Sequence, residues 1–347
     1  MPTSQLHSEI MEQPAALQRL LEAQEENIGR VAAAIRRRPP RFVVMAARGT
    51  SDNAARYGQY LFGAHNRLPV ALATPSLFTL YQSPPQLADS LVLGISQSGQ
   101  SPDICAVVEE GRRQGALTVA LTNDPASPLA RLAEYEVDLS AGPERAVAAT
   151  KTYTTSLLAL AMLSVALSED RQARRQLERV PKLVAETLKQ SEALVSAAGD
   201  YRKDDACVVL GRGYNYATAF EIALKLKELT YVLAEPYSSA DFQHGPVALV
   251  QNGFLVLAVV PDGRPAAELT AFLSTLRQSN PELVVISPNK DALALARTAI
   301  PLPAGVPEWL SPIVAVTPGQ LFAFGLARAR GLDPDKPRGL HKVTLTR

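Results

Sequence analysis

The chain has 347 residues, room for two domains of ordinary size. It is 47% hydrophobic and 20% charged with a formal net charge of +1, which describes a globular protein with real cores and gives no reason to expect nucleic acid or a membrane surface as partner. Two cysteines without Cys-x-x-Cys spacing, Cys105 and Cys207, read as core residues of a protein in a reducing cytoplasm, and the acidic residues soon after Met1 do not read as a signal peptide.

Residues 1–38 have apolar residues at helical spacing, with a break at Pro14 and a basic end at Arg36-Arg37-Arg38. Phe42 to Met45 reads as a strand, Ala46 to Asn53 as a glycine-containing turn, Ala54 to Gly63 as a helix and Val70 to Ala73 as a second strand. Leu91 to Leu93 is a short buried strand that runs into Gly94-Ile-Ser-Gln-Ser-Gly-Gln-Ser-Pro-Asp103 and then a helix from Ile104. A strand that turns through small hydroxylated residues into a helix makes an anion site, because the first helical amides lack intrahelical partners and the dipole favours negative charge. Ser96, Ser98 and Ser101 add hydroxyls, Gln97 an amide, and Gly99 a close backbone approach; no Lys or Arg lies within the loop. The same letters also fit a plain N-capped turn, with Ser98 or Ser101 as the cap. Strand Leu117–Leu121, helix Ser127–Glu134 and strand Tyr135–Leu139 follow. Ala148 to Leu167 is a long apolar helix; its apolar run from Leu157 is about half a membrane span and reads as core. Residues 169–203 read as a helical connector. Strands alternating with helices imply an α/β fold with a parallel sheet covered on both faces.

The second half repeats the first. At a constant offset of 164, Val44 to Phe78 lies over Val208 to Phe242, so that Arg48-Gly49 meets Arg212-Gly213. The same offset carries the Ser96 loop onto Val260-Pro261-Asp262-Gly263, which keeps the glycine and loses the serines. Leu117–Leu121 matches Leu283–Ser287 after a shift of about one residue, and Ala141-Gly142 meets Ala304-Gly305. A carboxylate and a proline oppose anion binding, so the phosphate site belongs to the first copy. The expected divisions are 1–38 as an N-terminal helical segment, 39–168 and 201–330 as the two α/β copies, 169–200 as the connector and 331–347 as a C-terminal tail.

Ala219 to Val232 is a strong helix pattern in which Glu221, Lys225 and Glu228 share one face. They read either as a solvated ion-pair stripe or as working groups. The helix is otherwise apolar, so a partly buried carboxylate with a raised pKa fits it. The next segment, Ala240 to Pro246, places one of four histidines, His244, in a Gly-Pro loop, where side chains often serve function. With no clustered His, Cys or paired acids at ligand spacing, no metal site and no cofactor are expected.

Taken together, Gly49-Thr50-Ser51, Ser96-Gln-Ser-Gly-Gln-Ser101, Ala148-Ala-Thr-Lys151, Glu221-x-x-x-Lys225-x-x-Glu228, His244-Gly-Pro246 and Pro337-Arg-Gly-Leu-His-Lys342 resemble the sugar isomerase (SIS) family. The chain is similar to the isomerase half of glucosamine-6-phosphate synthases over nearly its whole length. The resemblance implies two tandem SIS domains, each a doubly wound parallel sheet. It implies that Thr50, Ser51, Ser96, Gln97, Ser98, Gly99 and Ser101 bind the substrate phosphate, with Val147 and Lys151 also at the substrate. Glu228 would move a proton between C1 and C2. His244 would assist ring opening from the neighbouring subunit of a homodimer. Lys342 would lie near the open-chain carbonyl, where an amine can form a Schiff base, and Lys225 and Glu221 would support the group.

Arg48, Gln100, Ser101-Pro102-Asp103 and Ala149 depart from the synthase pattern, and the chain starts directly with the isomerase portion. Both features resemble stand-alone SIS-type glucosamine-6-phosphate deaminases and imply a cytoplasmic enzyme that releases ammonia from glucosamine 6-phosphate. Other SIS chemistries share the same loop and base: a fructosamine-6-phosphate deglycase, a galactosamine-6-phosphate deaminase or an aldose–ketose isomerase. A sugar-phosphate sensor without turnover is the reading from a different class. It has no need of Glu228, His244 and Lys342 together, and this chain shows no helix-turn-helix segment or basic face.

Overall fold

The computed structural model describes residues 4–344. The first quarter runs α1 (Gln5–Met11), α2 (Gln13–Arg37), β1 (Phe42–Ala46), α3 (Thr50–Asn66), β2 (Val70–Leu72) and α4 (Ser76–Thr79). The helical break falls at Glu12, which leaves Pro14 at the start of α2, where a missing N–H costs nothing. Then follow β3 (Ser90–Ile95), α5 (Pro102–Arg113), β4 (Leu117–Thr122), α6 (Pro128–Leu132), β5 (Tyr135–Asp138), α7 (Lys151–Ser168) and α8 (Arg171–Leu177). The second half opens with α9 (Val180–Ser191) and α10 (Leu194–Ala197). It continues with β6 (Ala206–Gly211), α11 (Tyr216–Thr230), β7 (Leu233–Ser238), α12 (Ser239–Gln243) and β8 (Leu255–Val259). It ends with α13 (Ala266–Leu276), β9 (Glu282–Ser287), α14 (Lys290–Leu293), β10 (Thr298–Pro301) and α15 (Ser311–Ala329).

The chain folds as two compact units. One holds residues 15–144, 151–179 and 341–344. The other holds residues 4–14, 145–150 and 180–340.

In the first-copy unit all five strands are parallel, in the order β2-β1-β3-β4-β5. Its central strands β3 and β4 are buried along their whole length, which is why they read as apolar runs without alternation. α3 packs on α7. α7 is buried from Lys151 to Val165, a core helix as its composition suggests.

In the second-copy unit the order is β10-β9-β8-β6-β7, which is the same topology, again all parallel. The register reproduces the offset of 164: Val43 pairs with Leu91 and Val70 in one sheet, Cys207 with Leu255 and Ala234 in the other. The strand shift is one residue, as expected, but the partner differs by one position. Leu91 faces Leu117 and Leu255 faces Glu282, so Leu117 corresponds to Glu282 rather than to Leu283. α15 fills the place of α7 and packs on α11. It is long and apolar enough to cross a membrane, but the whole apolar window is buried in the fold, as in a core helix.

Candidate functional site

The order β2-β1-β3 makes β1 and β3 the point where successive connections leave in opposite directions. In open α/β sheets the crevice outside the carboxyl ends of such a strand pair receives the ligand. The Gly49-Thr50-Ser51 and Ser96–Ser101 segments leave β1 and β3 there. Thr50 and Ser51, read above as part of a turn, are the first residues of α3. Gly49 is its N-cap with φ +53°, so that the turn is finished by one residue that needs no Cβ.

The Ser96 loop is tied down from below. The Ser96 amide donates to Leu121 O, Asn123 N to Gln97 O and Leu129 N to Gly99 O. Gly99 has φ +60°, and a Cβ there would lie 2.1 Å from Ser127 Oγ. Ser101 occupies the N-cap of α5 with extended backbone, yet its side chain makes no capping bond. Ser98 Oγ accepts only a long bond from Gln100 N, 3.3 Å. The plain capped turn is therefore not what these serines form, and the Ser101 hydroxyl remains available at a helix N-terminus.

The structure adds a cation that the loop sequence lacks. Arg48 Nε donates to Asp103 Oδ2 at 2.8 Å; Asp103 is fully buried in the first turn of α5, and half of the Arg48 side chain is exposed. Nothing in the spacing of residues 48 and 103 foretells this pair. On α3, Asp52 pairs with Arg56, and burial pushes its carboxyl above the usual range against the pull of Arg56 and Arg48.

Ahead of α7 lies an irregular segment where the sequence suggested helix from Ala148. Glu144, with no exposed side-chain surface, caps α7 by accepting from Thr152 N at 3.1 Å and Thr152 Oγ1 at 2.7 Å. Its Oε2 also takes the Lys342 ammonium at 3.0 Å, so the tail lysine is held by a buried carboxylate that sequence reasoning missed. Lys151 is buried and donates to Pro143 O at 2.8 Å. In the other unit, the buried Glu9 carboxylate accepts from Arg145 N at 2.6 Å and Ala146 N at 3.2 Å, which fixes the stretch that leads to the half-buried Val147.

α11 brings its three charged residues together as their spacing requires. Lys225 Nζ lies 3.3 Å from Glu221 Oε1 and 2.6 Å from Glu228 Oε2. Lys225 is 1% and Glu221 0% exposed, whereas Glu228 is 23% exposed. A solvated stripe would expose all three, so that reading fails. Burial alone would lower the Lys225 pKa; the two carboxylates outweigh it and hold it above the ordinary lysine value. Glu228 is thus a partly accessible carboxylate with one oxygen fixed by a buried ammonium, an arrangement chemically open to proton transfer. His244 is exposed; it ends α12, a five-residue helix where the sequence suggested a loop, and its amide donates to Asp241 O at 3.0 Å. Among the described residues no group of three His, Cys, Asp or Glu side chains gathers as a metal site would require.

Two stretches of the chain, residues 38–166 and 200–329, match the SIS domain model. The chain belongs to the SIS domain family. Its two matched stretches are the two copies described above. A glutamine–fructose-6-phosphate aminotransferase (isomerizing) of Thermococcus kodakarensis is 36% identical over 344 residues, 96% of this chain and 56% of that protein. This chain therefore spans about half the length of such curated relatives. Among solved structures, a Silicibacter pomeroyi DSS-3 protein provisionally named a phosphosugar isomerase is 36% identical, with a TM-score of 0.87 over 96% of this chain and 100% of that one. The C-terminal domain of glucosamine-fructose-6-phosphate aminotransferase from Francisella tularensis is 27% identical, with a TM-score of 0.88 over 96% and 98%. This SIS protein is thus similar to sugar-phosphate isomerases.

Proposed function

We propose that this SIS protein is an aminosugar-phosphate deaminase/isomerase that converts glucosamine 6-phosphate and water to fructose 6-phosphate and ammonia. The observation that carries the reading is the Glu221–Lys225–Glu228 trio, a buried cation that aims one accessible carboxylate. Thr50, Ser51 and the Ser96–Ser101 loop bind the phosphate ester, and this remote binding energy is spent on orienting the sugar. His244, from a second copy of the chain, assists ring opening. Glu228 takes the proton from C2 of the open aldehyde form and returns it to C1 through an enolamine. The resulting C2 imine is hydrolysed, with water supplying the ketone oxygen and the nitrogen leaving as ammonia. Lys342 serves at the carbonyl once it leaves Glu144 and gives up a proton. The Arg48, Gln100 and Ala149 departures from the synthase pattern support release of the amine rather than its installation.

The test is ammonia release by purified protein on glucosamine 6-phosphate. Glu228→Gln should lose about 10²–10⁴-fold in turnover and keep its affinity for the sugar phosphate. No turnover of that substrate by the wild type sinks the deaminase reading, and an undiminished Glu228→Gln sinks the role of Glu228. The likeness to the Silicibacter protein favours one second reading, a plain aldose–ketose isomerase; that enzyme would interconvert unsubstituted hexose 6-phosphates and release no ammonia.

A further inference from the structure

The second copy has the same two segments at the carboxyl ends of β6 and β8, Gly213-Tyr214-Asn215 and Val260–Arg264, but without serines. A carboxylate is already seated between them. Glu308 Oε2 accepts from Arg264 N at 2.9 Å. A Cβ on Gly263, the equivalent of Gly99, would lie 2.3 Å from Glu308 Oε2, and a Cβ on Gly213, the equivalent of Gly49, would lie 3.9 Å from Oε1. The two oxygens therefore span the two glycine turns.

Glu308 is fixed there by its own backbone. Its carbonyl accepts from Ser311 Oγ at 2.6 Å, and that hydroxyl accepts from Asn215 Nδ2 at 2.6 Å, within the first of the two segments. The surrounding charges follow the first copy. Arg212, the equivalent of Arg48, pairs with Glu268 of α13 at 3.0 Å, as Arg48 pairs with Asp103 of α5. Tyr214 feels both partners: its phenol is pushed up by burial and by Glu308, against Arg264.

We propose that Glu308 is a built-in anion: its carboxylate fills, in the second copy, the cradle that the first copy leaves open for a phosphate. The comparison with the first copy rests on the functional reading above; the seat of Glu308 does not. The repeat framework thus offers an anion seat in each copy. Self-occupancy of one of them leaves the chain able to take a single sugar phosphate and holds the β8 turn onto the start of α15. Without the Glu308 carboxylate, the second cradle would accept a free tetrahedral anion.

Wild type, Glu308→Ala and Glu308→Gln are melted in sodium chloride and in sodium phosphate of equal ionic strength. In chloride both variants melt below wild type. In phosphate at about ten times its dissociation constant, Glu308→Ala should regain about 3–6 °C beyond any rise in wild type. Glu308→Gln, whose amide still fills the seat, should gain no more than wild type does. Equal responses of wild type and Glu308→Ala to phosphate overturn the proposal, as does a Glu308→Ala that is as stable as wild type in chloride. If Glu308→Ala fails to fold in chloride, recovery in phosphate alone supports the built-in anion and failure in both refutes it. A response confined to Glu308→Ala would uphold this inference while counting against a phosphate site in the first copy.

Discussion

Lys225→Met removes one charge from the middle of the α11 trio and nearly preserves volume. At an effective dielectric constant of about 20, an ammonium 3.3 Å from Glu221 and 2.6 Å from Glu228 gains ~5 and ~6 kcal/mol of Coulomb energy. Most of this offsets the cost of taking the charges out of water, several kcal/mol for each ion, so the intact trio adds little net stability. Its loss is another matter. Glu221, with no exposed side-chain surface, loses that cation, and breaking such a pair costs about 3–5 kcal/mol. At about 2–4 °C per kcal/mol for a unit of this size, the melting temperature should fall by ~6–20 °C. Adding Glu221→Gln removes the carboxylate that faced the ammonium and should restore at least about half of the loss. The pH dependence has a definite sign. The Lys225 pKa is raised in the folded state, so its contribution is complete below the unfolded lysine value of about 10.4 and is lost only as pH rises beyond it. The gap between wild type and Lys225→Met should therefore be flat from pH 6 to 9 as far as this group is concerned. Differential scanning calorimetry of the three proteins reads all of this. A single variant that melts within about 2 °C of wild type, or a double variant no more stable than the single, would refute the argument.

Other perturbations test other parts of the molecule. Gly99→Ala forces a left-handed alanine and drives a Cβ into Ser127, so it should cost about 2–4 kcal/mol in urea unfolding and weaken sugar-phosphate binding; an alanine variant of native stability would contradict the geometry. Burial pushes the Cys207 thiol up to about 12 and also raises that of half-buried Cys105. In a disulfide-exchange assay at pH 8, Cys207 should stay silent until denaturant is added and Cys105 should react slowly; prompt reaction of both would count against the packing. Asp335 accepts from Ser4 Oγ, Gln5 N and Leu6 N and thereby caps α1 from the tail. Asp335→Ala should cost about 0.5–2 kcal/mol and speed amide exchange across α1. Unchanged protection there would show that the cap is idle.

What the sequence settles here is local or repeated. The offset of 164 between copies is a statement about letters, and the register of both sheets obeys it, because each copy buries the same faces against the same neighbours. The Glu221, Lys225 and Glu228 contacts follow from helical spacing alone, since residues three and four apart share a face. The serine loop could be placed between strand and helix on turn chemistry, although whether its serines cap the helix could not be read from composition.

Only the tertiary structure decided which carboxylates meet which partners. Glu144 and Lys342 are 198 residues apart, Ser4 and Asp335 are 331 apart, and Arg48 and Asp103 are 55 apart. No spacing rule joins such pairs; the fold alone brings distant segments together, and a buried charge must then find whatever cation or amide the fold delivers. The loss of serines from the second loop was legible, and Asp262 was the obvious acid to blame. The residue that fills the seat is Glu308, 44 positions beyond the Arg264 amide that it accepts from, and only the folded chain shows it arriving there.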